Sequence, residues 1–271
     1  MSAAPRAVAD AALTAGPAEA GTTVVVGAAQ GIGAEVARHL ARMGWTQKIV
    51  LADIDGDAVD AVAGELCRDG VEAAALRVDV TDPAQVNALV AASREAERVA
   101  IVAGTFAPAP ALEVERDQFR RIVDVNLHGV YFVAQAYARE MAGRGGGSIA
   151  GVASIAARMP RMRQAAYCAS KAGMRQALRV LGMEVVGRGV RINTVSPGAT
   201  DTPMMRTLAS DHASVDSLAQ GSLEAMRPRI PDGRVATPGD VAEALAYLLG
   251  PESGHVVLQD LVVDGGELLG L

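Results

Sequence analysis

Three groups of residues have types and spacings that can do chemistry. The first is Gly27-Ala28-Ala29-Gln30-Gly31-Ile32-Gly33. It stands between a β-branched run, residues 22–26, and a stretch of helical spacing, residues 34–43, so the glycines occupy a strand-to-helix turn. Glycine permits a tight turn and lets a phosphate approach the backbone without meeting a Cβ. The helix start adds free N–H groups and the positive end of the helix dipole. The turn predicts a dinucleotide site cradled by Gly27, Gln30, Gly31, Ile32 and Gly33. The second group is two acids at strand ends. Asp53 follows Gly33 by 20 residues, where an acid accepts from ribose hydroxyls and repels a 2′-phosphate, which points to NAD. For Asp79 two readings stay open: accepting from an adenine amino group with Val80 beside the ring, or serving the helix start that Thr81, Asp82 and Pro83 announce. The third group is Ser154, Tyr167 and Lys171. Tyr167 and Lys171, four apart, share one helical face. A free phenol, with a pKa near ~10, is a poor base at neutral pH, and a neighbouring ammonium favours its ionised form. Ser154 ends a strand, at the edge where open parallel sheets bind ligands. Asn126 sits midway along a long helical stretch, either as a packing amide or facing the site.

Positioning these groups requires a regular scaffold. Apolar runs at 22–26, 48–53, 72–80, 99–104, 148–154, 191–195 and 256–263 read as strands. Between them, residues 34–43, 57–68, 81–98, 116–142, 165–187 and 237–249 read as helices. The alternation predicts an α/β fold: a Rossmann-type doubly wound parallel sheet of about seven strands, helices on both faces, in a single domain. Residues 203–229 are polar, Met-rich and irregular, with the length of a substrate-covering lid. Residues 1–20, Ala-rich with Pro5, Gly16 and Pro17, read as a poorly ordered tail without the features of a secretory signal.

Composition narrows the function. The 271 residues are 50% hydrophobic and 21% charged, enough for one large core. A net charge of -6 argues against nucleic acid or an acidic membrane surface as partner. Aromatic content of 3% disfavours a base-stacking platform or a sugar groove. Cys67 and Cys168 form no disulfide framework and fit a reducing cytoplasm. His39, His128, His212 and His255 lack metal-ligand spacing, so no metal is expected. No apolar run reaches transmembrane length.

Taken in order, the motifs resemble those of the short-chain dehydrogenase/reductase family, from about residue 21 to 271. Gly27, Gly31 and Gly33 match its glycine motif, and Tyr167-Cys168-Ala169-Ser170-Lys171 its Tyr-x-x-x-Lys. Ser154, thirteen residues before Tyr167, matches its serine, Asn126 its helix asparagine, and Pro197-Gly198-Ala199-Thr200-Asp201-Thr202 its Pro-Gly-x-x-x-Thr. The resemblance implies that Tyr167 takes the proton of a substrate hydroxyl while Ser154 hydrogen-bonds the reacting oxygen. Lys171 and the nicotinamide would favour tyrosinate, and Asn126 would hold a water in a proton relay. It further implies cofactor contacts at Ala103, Gly104, Tyr167, Lys171, Pro197, Gly198, Thr200 and Thr202, and a homotetramer built on the helices at 116–142 and 165–187 and the last strand.

The C-terminal third, with Val195-Ser196-Pro197-Gly198 and Leu258-Gln259-Asp260-Leu261-Val262-Val263-Asp264-Gly265-Gly266, together with Pro160-Arg161, resembles the 2,3-dihydro-2,3-dihydroxybenzoate dehydrogenases. That branch also includes enzymes acting on the 2-amino analogue, giving 3-hydroxyanthranilate. It implies a small aromatic-acid precursor as substrate, in siderophore or secondary-metabolite biosynthesis. A benzoate-type carboxylate would need an arginine, with Arg161 the first choice, Arg206 the second and Arg163 a weaker one. The competing expectations are a ketoreductase for another alcohol and a non-catalytic NAD-sensing regulator. Ile101-Val102-Ala103-Gly104 departs from the family's Asn-Asn-Ala-Gly, so the asparagine that ties down the central strand is absent.

Overall fold

β1 (Gly21–Val26) is an inner strand of a seven-stranded parallel sheet of order β3-β2-β1-β4-β5-β6-β7. The other strands are β2 (Thr46–Asp53), β3 (Glu72–Arg77), β4 (Ala96–Ile101), β5 (Gly147–Val152), β6 (Val190–Pro197) and β7 (Asp260–Val263). This computed structural model describes residues 21–209 and 215–270; the expected N-terminal tail, residues 1–20, lies outside them, as does His212. Val24, Val25 and Val26 are all buried, because a strand covered on both faces reads as a continuous apolar run.

Two cores sandwich the sheet. On one face Val24, Val26 and Ile101 pack with Leu89 of α3 (Pro83–Ala92), Tyr137 and Met141 of α5 (Val130–Arg144), and Met174 and Leu178 of α6 (Ala165–Val185). On the other, Val25 and Leu51 pack with Leu40 of α1 (Gly31–Arg42), Leu66 of α2 (Gly56–Arg68), and Leu245 and Leu249 of α8 (Pro238–Leu249). Each such side chain contributes about 1.5–3 kcal/mol by leaving water. β1 pairs with β2 on one side and β4 on the other, so the strand order reverses there. The crevice above that reversal is where open α/β sheets take ligands.

Several expected boundaries move, and the strand read at 72–80 ends at Arg77, short of Asp79. The helix read at 81–98 stops at Ala92, because Ser93 turns its hydroxyl back to the Leu89 carbonyl (2.8 Å) and bonds the Tyr137 hydroxyl (2.7 Å). The chain then turns, and Ala96 and Arg98 pair with Thr22 and Thr23 as the start of β4. The helix read at 116–142 is α4 (Arg116–Val123), a π-helical turn at Asp124–Gly129, and α5. The last strand is four residues long, since Leu258 takes φ 61 and breaks the extended run before Asp260. β5 ends at Val152, two residues short of Ser154.

In the stretch read as a lid, α7 (Pro203–Ala209) is followed by a 3₁₀ turn at Asp216–Gln220 and a bridge between Ser222 and Arg227. Met205 and Val235 pack there on a small separate cluster of Ala199, Ala219 and Ile230. Among the described residues, no helix is long and apolar enough to cross a membrane.

Candidate active site

A cleft of about 490 Å³ opens at the C-terminal ends of the central strands, within the range of small-molecule sites. Gly27, Gln30, Gly31 and Ile32 form its floor. Gly27 holds φ 86, and a Cβ there would collide with the Ala103 backbone. Gly33 does not line the cleft: a Cβ there would meet the Gly27 carbonyl, so this glycine serves the close approach of α1 to the turn. The cofactor contact expected of Gly33 is therefore corrected to a packing role.

Asp53 both shapes the turn and faces the cleft. Its Oδ2 accepts from Ala29 N at 2.9 Å and its Oδ1 from Asp55 N at 3.1 Å, which ties the glycine turn to the end of β2. The same carboxylate lines the cleft. The two readings of Asp79 separate onto different residues. Asp82 caps α3, accepting from Ala84 N and Gln85 N, while Asp79 accepts from the Thr81 amide and hydroxyl and lines the cleft with Val80. Ala103, Gly104, Pro197, Gly198, Thr200 and Thr202 complete this half. Without the family asparagine, the end of β4 is held by main chain alone: Val102 N and Ala103 N both donate to Val26 O, at 2.8 and 3.0 Å.

The reactive half is carried by β5 and α6. Ser154 caps the 3₁₀ turn Ile155–Ala157, its Oγ accepting from Ala156 N at 3.1 Å. α6 presents Tyr167 and Lys171 to the cleft. Lys171 is only 3% exposed; its Nζ donates to Val152 O at 2.7 Å and stands 5.8 Å from the centre of the Tyr167 ring. Asn126 sits behind the cleft wall, fully buried in the π-helical turn. Its Oδ1 accepts from Thr105 N at 2.7 Å, and its Nδ2 donates to Thr105 O at 2.9 Å and Ser170 Oγ at 3.1 Å. The amide thereby fastens the loop after β4 to α6. Gly104 passes between them: a Cβ there would lie 3.3 Å from Asn126 Oδ1 and 3.4 Å from Lys171 Nζ.

Burial governs the ionisation of the pair. It pushes the Tyr167 phenol up to about 12, with the Ser154 hydrogen bond pulling the other way. It pulls Lys171 down to about 8. Burial thus works against the tyrosinate that Lys171 and the nicotinamide are expected to favour. Phe106 packs edge-on against Tyr167, ring centres 5.1 Å apart, and lines the cleft with Gln164 and Arg121. Gln164 stands out in the sequence only as a neighbour three residues before Tyr167, and no spacing links Phe106 or Arg121 to it.

Of the three arginines expected at a carboxylate, one reaches the cleft. Arg161 lines it with a side chain 8% exposed, and its Nη2 donates to Glu267 Oε1 at 2.7 Å. Arg206 is 65% exposed and turned away: its Nε and Nη2 grip the two oxygens of Asp201 at 2.9 and 3.2 Å, five residues back. Arg163 is also outside the cleft; it is exposed, holds φ 63, and uses its carbonyl to accept from Ala109 N. In their place the structure brings Arg227 to the cleft wall, 12% exposed and 3.4 Å from the same Glu267 Oε1. Sequence reading missed it, because Arg227 lies in an irregular polar stretch and its partner is 40 residues further on.

The crossover topology and the Ser-Tyr-Lys arrangement at the carboxyl edge of the sheet are those of a dehydrogenase scaffold. A family model described as enoyl-(acyl carrier protein) reductase matches residues 27–267, and the chain belongs to the short-chain dehydrogenase/reductase family of oxidoreductases. It is 35% identical over 251 residues to the 2,3-dihydro-2,3-dihydroxybenzoate dehydrogenase of Bacillus subtilis (strain 168), covering 91% of this chain and 95% of that protein. It is 36% identical over 248 residues to the cis-4-hydroxycyclohexanecarboxylate dehydrogenase of Sinomonas cyclohexanicum, covering 90% and 94%. A solved 7α-hydroxysteroid dehydrogenase, complexed with NADH and a 7-oxo bile acid conjugate, superposes with a TM-score of 0.82 at 27% identity, covering 91% of this chain and 93% of that one.

Proposed function

We propose that the protein oxidises a ring hydroxyl of a dihydro-hydroxybenzoate-type acid with NAD, giving an aromatic acid. The substrate is 2,3-dihydro-2,3-dihydroxybenzoate, yielding 2,3-dihydroxybenzoate, or its 2-amino analogue, yielding 3-hydroxyanthranilate. The observation that carries the acid class is Arg161, a buried cation on the wall of the cleft that also holds Ser154 and Tyr167. Two of the relatives named above act on ring alcohols that carry a carboxylate.

The cradle fits a nicotinamide dinucleotide, since Gly27, Gln30, Gly31 and Ile32 line the cleft where α1 begins, and the free N–H groups of a helix start suit a pyrophosphate. Asp53 would receive the adenosine ribose and face any 2′-phosphate, which favours NAD over NADP. When bound, NAD supplies the acceptor for the hydride leaving the hydroxyl-bearing carbon. Tyr167 takes the hydroxyl proton, and the Ser154 hydroxyl orients the same oxygen. Lys171, anchored on the Val152 carbonyl and 5.8 Å from the centre of the Tyr167 ring, would join the nicotinamide charge in favouring the tyrosinate. Asn126 keeps the Thr105 loop and α6 in register with that pair. The cyclohexadienone produced tautomerises to a phenol, so the oxidation runs one way.

In this reading the 203–229 stretch covers the bound acid, with Met204 and Met205 as adaptable packing at the cleft. The chain works as a cytoplasmic homotetramer, and the exposed Phe132 of α5 and Val180 and Met183 of α6 supply apolar surface for pairing. The product, a catechol or aminophenol acid, belongs to siderophore or secondary-metabolite synthesis. Purified protein is assayed with NAD against both dihydro acids, following NADH formation and the aromatic product. Turnover of either supports the proposal. Turnover of an uncharged cyclic alcohol with neither acid accepted would make the protein a ketoreductase instead.

A further inference from the structure

Glu267 follows Gly265-Gly266 in the turn after β7. Asp264 shapes that turn, its two oxygens accepting from Gly266 N at 2.8 Å and Leu268 N at 2.7 Å. The result buries the Glu267 side chain completely, with Oε2 against Gly198, whose Cβ, if present, would lie 3.3 Å away. Oε1 faces both Arg161 and Arg227. Within this cluster two guanidiniums and one carboxylate leave one positive charge. Burial and the nearby Arg161 charge lower Arg227 from its ordinary value, and Glu267 opposes them.

The hydrogen bonding is incomplete in a particular way. Arg161 Nη1, Arg227 Nε and Glu267 Oε2 are buried and have no hydrogen-bond partner, although Arg227 Nε faces Glu267 Oε1 at 3.4 Å. Both arginines line the cleft while Glu267 stands behind them. A buried guanidinium N–H without an acceptor is costly, and a ligand carboxylate in the cleft supplies an acceptor for Arg161 Nη1 and the negative charge that balances the two arginines.

We propose that Arg161 and Arg227 together seat one carboxylate of the substrate, and that Glu267 is the positioning residue that holds the two guanidiniums side by side and limits the seat to a single negative charge. The inference rests on the reading of the protein as an acid dehydrogenase, and it adds the second arm and the charge limit. The seat draws on three distant segments: the loop before α6, the stretch expected to act as a lid, and the C-terminal turn. Arg227 therefore couples occupation of the seat to the placement of that stretch.

The test uses benzoate, benzamide and phthalate as probes, titrated calorimetrically into full-length protein saturated with NADH. Wild type binds benzoate at least tenfold more tightly than benzamide. Glu267→Gln keeps the shape but leaves two positive charges, so the affinity ratio of phthalate to benzoate rises at least tenfold. Arg227→Met weakens benzoate at least tenfold, with benzamide and NADH affinities within twofold. Equal binding of benzoate and benzamide by wild type overturns the seat. An unchanged phthalate ratio in folded Glu267→Gln overturns the charge limit, and unchanged benzoate affinity in Arg227→Met overturns the second arm. If Glu267→Gln fails to fold, Arg227→Met and the benzamide comparison decide. No turnover is needed, so a protein that prefers benzoate yet oxidises neither dihydro acid keeps the seat and loses the assigned substrate.

Discussion

Lys171 Nζ donates to the Val152 carbonyl at 2.7 Å, so the cation of α6 is bolted to the last residue of β5. That bond fixes where the ammonium stands relative to the Tyr167 ring. It also leaves a charged group in a place from which water is excluded, with consequences for stability. Burial pulls Lys171 down to about 8 from its ordinary value of 10.5. Between these values the unfolded chain binds more protons than the folded one, so stability rises with pH across that window. Below pH 8 the full penalty applies. Lys171→Met removes it, and its stability relative to wild type should fall by on the order of 2–3 kcal/mol from pH 7.5 to 10.5. Denaturant melts at four pH values check this; a difference independent of pH would refute the shifted lysine.

Tyr167→Phe keeps the edge contact with Phe106 and loses only the hydroxyl. Turnover should drop by at least about three orders of magnitude, the upper part of the range for a lost acid–base group, while NADH affinity holds within twofold. Fluorescence titration and initial rates separate the two. Retained activity would remove Tyr167 from the mechanism.

Asp53→Ser should narrow the preference for NAD over NADP at least tenfold in kcat/KM. It should also weaken NAD itself, because the Ala29 and Asp55 amides lose the carboxylate that fixes the glycine turn. A wild type that used NADP more efficiently would overturn the reading of Asp53.

Arg161→Ala and Arg206→Ala should part company on an acid substrate. Truncating the buried Arg161 should cost roughly 2–4 kcal/mol of transition-state stabilisation. Arg206, exposed and paired with Asp201, should change kcat/KM less than twofold. Rates on the carboxylate and its carboxamide provide the check, and equal losses in both variants would sink the distinction.

Sedimentation velocity at micromolar concentration tests assembly, with a tetramer expected and a stable monomer contradicting it. Phe132→Asp, placed on exposed apolar surface, should dissociate the assembly with little loss of monomer folding.

What the sequence made legible was local. The β1 run, the glycine turn and α1 follow one another within 22 residues, from Gly21 to Arg42, and each has its own periodicity or conformational requirement. Tyr167 and Lys171 announce themselves by one helical turn. The stop at Ser93 was invisible, because it depends on a hydroxyl from Tyr137, 44 residues away. The Arg161–Glu267 and Arg227–Glu267 pairs were invisible for the same reason, being made by chain segments that meet only in the finished fold. Arg206 misled because position after Thr202 said nothing about Asp201, which captures it.

The π-helical turn at Asp124–Gly129 also acts as a phase adjuster. Each residue of an α-helix advances about 100° around the axis, and a wider turn takes up an added residue without lengthening the climb to match. α4 and α5 thus share one continuous path while presenting faces that a uniform helix would set at different angles. Ile122 before the turn and Val130, Val133 and Tyr137 after it are all buried as a result. Loss of a single residue between 124 and 129 would close the turn to an ordinary α-helix: seven steps of about 100° would still set Val130 on the face of Ile122, so α5 would keep its seat on the sheet and the cost would fall on Asn126 and its grip on the Thr105 loop.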